Sequence, residues 1–143
     1  MAEQTDVLIV GAGPTGLIIA TELARRGVSC RILEQRLERS RRSKALAVHA
    51  RTLELLDLLG LADTFVQRGY CSPGYDLAAG TKYPQRAHMH RLESRFPFVL
   101  ILPQNETEAL LEENLLALGV RVERGVKLTG FQDRGERLSA QAA

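Results

Sequence analysis

Six residues near the N-terminus, Gly11-Ala-Gly-Pro-Thr-Gly16, have the types and spacing of a loop that cradles a phosphate. A bare GxGxxG recurs by chance, so its surroundings decide what it means. Here it stands between a short apolar run, Asp6-Val-Leu-Ile-Val10, and an amphipathic stretch that opens at Leu17. Glu34 closes the next apolar run, at roughly the 20-residue distance of the dinucleotide-binding fingerprint. Gly11 allows a tight turn out of a strand, Gly13 lets the backbone approach a pyrophosphate, and Gly16 lets a helix pack closely on the sheet. The free N–H groups and dipole of the helix start then favour an anion. The Glu34 carboxylate can accept hydrogen bonds from adenosine ribose hydroxyls, and its charge disfavours a 2′-phosphate. The fingerprint by itself leaves FAD and NAD both open, with an unliganded glycine turn as the bland alternative. A nucleotide-triphosphate P-loop is excluded, because Leu17 stands where that motif requires Lys.

Other chemistry-bearing residues carry less. His88 and His90 alternate on an expected strand and share a side, but no third ligand accompanies them, so no metal site is expected. Cys30 and Cys71 lack CxxC spacing, which argues against a disulfide scaffold, a zinc site or a redox pair; Cys30 reads as a small core residue. Asn105-Glu-Thr107 fits a glycosylation sequon but reads as a helix cap. No residue can be named as a catalytic acid or base.

The elements that must position the glycine loop follow from hydrophobic period. Val7–Val10 reads as a strand buried on both faces, Leu17–Arg26 as a helix stopped by Gly27, and Val28–Leu33 as a second strand, together one βαβ-type half. Residues 35–44 hold five basic residues and no period, hence a surface loop. Helices are expected from Ala50 to Leu59, with Leu53, Leu56 and Leu59 in a stripe, and from Leu61 to Gln67. Strands are expected over roughly Arg86–Leu92 and Phe96–Leu102. Asn105, with Glu108 as reciprocal partner, is expected to cap a helix lined by Leu111, Leu115 and Leu118. Val120–Glu123 reads as a third strand, and Val126–Phe131 with Leu138–Ala140 as an antiparallel meander. The segments divide as 1–68, 69–103 and 104–143.

The 143 residues carry 19 Lys+Arg against 17 Asp+Glu, a net charge of +2 that excludes a strongly basic nucleic-acid arm or an acidic tail. The basic run from Arg36 to Lys44 also lacks interleaved aromatics, so no nucleic-acid partner is expected. No apolar run approaches the ~20 residues that span a bilayer, and the N-terminus lacks the basic start of a signal peptide. A soluble cytoplasmic protein is the expectation.

Four stretches resemble the class A flavoprotein monooxygenases, the aromatic-ring hydroxylases built like p-hydroxybenzoate hydroxylase. They are Asp6–Leu17, Leu33-Glu-Gln-Arg36, Ser43–Glu54 and Leu102-Pro-Gln-Asn-Glu-Thr-Glu108. The first is shared by many flavoproteins; the last two are much more specific to this group. The resemblance implies an α/β fold: a partial Rossmann-like FAD-binding domain with a third parallel strand and the first strands of a substrate-facing sheet. It also implies FAD as cofactor, held by Gly11, Gly13, Pro14, Thr15 and Gly16 with Glu34 on the ribose. Gln35 and Arg36 would lie near the adenosine end, and Val126 would offer backbone contacts to adenine. Lys44 falls where the family usually has Arg, losing the planar fork. Arg51 would approach the same cofactor or pair with Glu54 or Glu22. Gln104 matches a glutamine that bonds the FAD linker. The implied activity is hydroxylation of an aromatic substrate with NAD(P)H and O₂.

Two later family motifs and most of the substrate sheet are absent, so the resemblance points to a truncated portion that is catalytically incomplete. In a doubly wound sheet the strands near Ile32 and Val122 lie on one side of Val7–Val10, which leaves its other edge bare. Such an edge invites a homodimer or pairing with a complementary chain. An NAD-binding dehydrogenase half and a non-catalytic nucleotide-binding remnant are the alternatives.

Overall fold

The computed structural model describes residues 4–39, 45–77 and 85–143. In chain order the elements are β1 (Val7–Val10), α1 (Pro14–Arg25), β2 (Cys30–Glu34), β3 (Ala47–Val48), α2 (Ala50–Leu58), α3 (Ala62–Arg68), β4 (Tyr70–Ser72), β5 (Gly74–Leu77) and β6 (Gln85–His88). A 3-10 turn (Met89–Arg91), β7 (Val99–Ile101), α4 (Gln104–Ala117), β8 (Val122–Arg124), β9 (Leu128–Asp133) and β10 (Leu138–Ala142) complete them. The chain divides into two compact units, Met1–Arg42 with Thr107–Ala143, and Ser43–Glu106.

The first unit is built on a parallel sheet in the order β1-β2-β8. Val7 pairs with Cys30 and Val10 with Leu33, while Ile32 pairs with Val122 and Glu34 with Arg124. This is the order expected for the amino-terminal half of a doubly wound sheet. β1 ends the sheet, and among the described residues no strand pairs with its outer edge. Helix α1 packs on β2 and buries Leu17, Ala20 and Thr21. Its start is shaped by an extended Gly13 and by Pro14 at the first helical position, where a missing N–H costs nothing. Near its other end Arg25 and Arg26 pair with Glu22. Strands β9 and β10 form the expected antiparallel hairpin, continued by mutual N–H···O bonds of 2.7 and 3.0 Å between Lys127 and Ala143.

The second unit holds two small antiparallel sheets, β3-β7-β4 and β5-β6. Its core is Leu53, Leu56, Ala62, Phe65, Phe96, Val99, Leu100 and Leu102. Ser94 Oγ donates to Glu54 at 2.7 Å, and Arg95 pairs with both Asp57 and Asp63.

Several sequence expectations need correction. The strand expected from Phe96 begins only at Val99, because the Phe98 N–H donates to the Phe96 carbonyl at 2.8 Å in a tight turn around Pro97. The strand expected from Arg86 to Leu92 ends at His88, and the chain turns through Met89–Arg91. His88 and His90 therefore do not alternate on one strand; their rings meet edge-on at 5.4 Å. Helix α4 starts at Gln104, so Asn105 lies inside it rather than capping it. The buried stripe of α4 is Leu110, Leu111 and Leu115, while Leu118 is exposed. Cys30 is only half-buried. Strands β3, β4 and β5 were not anticipated.

Candidate functional site

The glycine loop connects β1 to α1 against the end of β2. The Gly11 N–H donates to the Leu33 carbonyl at 2.7 Å, and Gly11 itself sits at φ +103, a conformation that side chains rarely adopt. A Cβ placed on Gly16 would lie 2.0 Å from the Gly11 carbonyl oxygen. The turn is thus tight enough that only glycine fits where the helix leaves the strand. The first helical bond runs from the Leu17 N–H to the Gly13 carbonyl at 3.0 Å. The N–H groups of Thr15 and Gly16 ahead of it have no intrahelical acceptor, the condition under which a helix start favours an anion.

Glu34 ends β2 beside this loop. Its Oε2 accepts the Ala12 N–H at 3.1 Å and its Oε1 accepts the Arg36 N–H at 3.0 Å. Two backbone donors therefore fix the carboxylate from both sides, and each oxygen keeps lone-pair capacity for a hydroxyl. Partial burial pushes this carboxyl up; the N–H bonds from Arg36 and Ala12 and the charges of Arg36 and Arg124 outweigh it and hold it below the usual carboxylate range.

Beyond Glu34 the chain runs alongside the turn after β8. The Val126 N–H donates to the Glu34 carbonyl at 3.1 Å and the Gly125 N–H to the Arg36 carbonyl at 3.2 Å. With its N–H used, Val126 has its carbonyl left to offer a base. Gln35 and Arg36 are exposed.

The structure therefore gathers Gly11, Gly13, Pro14, Thr15, Gly16, Glu34, Gln35, Arg36 and Val126 in the first unit. Arg51 and Gln104 belong to the second. Arg51, in the first turn of α2, pairs with Glu54 at 3.1 Å. Gln104 opens α4, and its backbone N–H donates to the Ala45 carbonyl at 3.0 Å. Lys44 lies outside the described residues. Among the described residues no three His, Cys, Asp or Glu side chains cluster to hold a metal, and no helix is long and apolar enough to cross a membrane.

Sequence reasoning missed the Ala12 N–H, Arg124 and Glu112. Arg124 is the β8 neighbour of Glu34, and its guanidinium donates to Glu112 at 2.7 Å. A backbone N–H leaves no mark in a sequence, and Arg124 becomes a neighbour of Glu34 only through strand register.

A glycine turn with no room for a Cβ, a helix start free of acceptors and a fixed carboxylate together fit the ADP half of FAD. Comparison with known proteins agrees. A family model described as FAD binding domain matches residues 4–143. The 6-methylpretetramide 4-monooxygenase of Streptomyces rimosus is 40% identical over 142 residues, which cover 98% of this chain and 26% of that protein. The solved OxyS anhydrotetracycline hydroxylase from Streptomyces rimosus superposes with a TM-score of 0.89 at 36% identity, covering 98% of this chain and 28% of that one. A ternary complex of aklavinone-11 hydroxylase with FAD and aklavinone superposes with a TM-score of 0.80 at 25% identity, over 100% of this chain and 30% of that one. The chain thus spans about a quarter of the length of the curated relatives it matches. The match over residues 4–143, together with these relatives, places the chain in the FAD-binding domain family of the class A aromatic-ring monooxygenases.

Proposed function

We propose that the first unit binds the ADP half of FAD and that the protein acts in hydroxylating an aromatic substrate with NAD(P)H and O₂. The observation that carries this is the Glu34 carboxylate, held by the Ala12 and Arg36 N–H groups beside a turn that admits no Cβ at Gly16. Gly11, Gly13, Pro14, Thr15 and Gly16 receive the pyrophosphate at the start of α1. Glu34 accepts the ribose hydroxyls, Gln35 and Arg36 border the adenosine, and the Val126 carbonyl meets the adenine edge. By the family resemblance, Lys44, Arg51 and Gln104 are further candidate cofactor contacts. Bound FAD supplies the redox and oxygen chemistry, while the chain's own residues bind, orient and shield it. None of them is assigned as an acid or base.

Titration of the purified chain with FAD, followed by quenching of flavin fluorescence, tests this. FAD binds in preference to NAD, and Glu34→Ala weakens FAD by about 10- to 100-fold, the worth of one or two hydrogen bonds to a charged group. Tighter binding of NAD, or a Glu34→Ala variant that binds FAD as well as the parent chain, overturns the reading.

The open edge of β1, with Val10 at 57% exposure, accepts a strand from a second copy or a complementary chain. The site of action is the cytoplasm, in keeping with two free cysteines.

A further inference from the structure

Glu34 and Arg124 are paired residues on adjacent parallel strands, so their side chains leave the same face of the sheet about 5 Å apart. Opposite charges in that relation ordinarily join. The other face of these two strands shows it: Arg31 of β2 and Glu123 of β8 form a bidentate pair at 2.7 and 2.6 Å. At Glu34 and Arg124 no such pair forms. The Arg124 guanidinium turns instead to Glu112 of α4 at 2.7 Å, and Arg39, in the loop after Glu34, lies 3.6 Å from the same Glu112 carboxylate. The Arg124 and Glu112 side chains are only 20% and 24% exposed, so this pair is held by its surroundings. Among the described residues, Glu34 is bonded by backbone donors alone.

We propose that Glu112 is a positioning residue of the cofactor site: by holding Arg124 it keeps the Glu34 carboxylate open to the ribose hydroxyls. The proposal rests on the reading that Glu34 binds the ribose. Removing Glu112 strands a guanidinium whose strand neighbour across the sheet is Glu34. The new ion pair occupies the lone pairs that the ribose needs. Loss of Arg124 as well removes the competitor, so a second substitution repairs the first. A pair that only supported the fold would also be relieved by the second substitution, which removes the stranded charge, so the Glu34 titration of the ligand-free chain is the readout that separates the two roles.

FAD affinity of the full 143-residue chain tests this by fluorescence quenching. Glu112→Ala weakens FAD about tenfold, the size of one displaced charge-assisted bond. Arg124→Met, which keeps the apolar stem, binds within about threefold of the parent, and the double variant returns to that level. In the ligand-free chain, the Glu34 carboxyl followed by carbon-13 NMR titrates at lower pH in Glu112→Ala than in the parent, and the shift vanishes in the double variant. Unchanged affinity in Glu112→Ala, a double variant as weak as Glu112→Ala, or an unmoved Glu34 titration overturns the proposal. Glu34→Gln separates it from the reading beneath. If Glu34→Gln binds FAD like the parent, the ribose assignment fails; if it weakens FAD while Glu112→Ala does not, only the role of Glu112 fails.

Discussion

A methyl group added at Gly16 would lie 2.0 Å from the Gly11 carbonyl oxygen and 3.4 Å from Ile9 Cγ2. The nearer atom is backbone and cannot rotate away, so α1 must shift off β1. Gly16→Ala should therefore destabilise the chain by about 1–3 kcal/mol in denaturant unfolding, and weaken FAD by tenfold or more because the donors of the helix start move with it. Glu34 makes a prediction about pH. Its carboxyl is held below the usual range, so the unfolded chain takes up this proton first as pH falls, and stability drops as pH passes down through the folded value. Protonation also removes an acceptor. FAD affinity should thus hold at neutral pH and fall off only below the ordinary carboxylate range, and Glu34→Gln should lose this acid limb. The glycines and Glu34 were legible in the sequence because their types and spacing are the signal. Glu112 was not, because it serves Glu34 through Arg124, a neighbour that exists only once β2 and β8 are in register.

Helices were read more faithfully than strands. α1 and α2 show their apolar faces over nine or more residues, Pro14–Arg25 and Ala50–Leu58, long enough for a period to emerge. β3 has two residues and β4 three, too few for any alternation, and they exist because β7 pairs with both. Asn105 had the look of a helix cap, but the Gln104 N–H finds the Ala45 carbonyl and the helix begins at Gln104, two residues before a cap at Asn105 would start it. Between β2 and β8 the Arg31–Glu123 pair carries its own pH dependence. The bond from Arg31 and its charge, against partial burial, hold the Glu123 carboxyl below its ordinary value. The pair stabilises the fold above the unfolded carboxylate range, and this contribution fades as pH falls through the folded value. Glu123→Gln should lower the melting temperature at neutral pH and leave it nearly unchanged at strongly acid pH. In the core, Leu17→Ala and Leu111→Ala each remove a fully buried side chain and should cost about 2–5 kcal/mol in denaturant unfolding.

Length and composition alone describe a single ordinary domain, yet the contacts divide the chain into two units and its relatives extend far beyond it. The sheet explains the tension. A doubly wound sheet keeps its first strand central, whereas here β1 stands at the end of β1-β2-β8. Sedimentation of the chain should show concentration-dependent self-association. Val10→Lys, a charge at the open end of that edge, should shift it toward monomer; a parent chain monomeric at every concentration would sink the edge argument. By itself the sequence determined the nucleotide-binding class and the βαβ unit, because those depend on local periods and on glycines whose backbone needs are written in residue type. Only the tertiary structure decided how Glu34 is held, which charge is kept from it, and where the small sheets of the second unit pair. Each of these rests on contacts between residues far apart in the chain, formed by register and burial that no local pattern encodes.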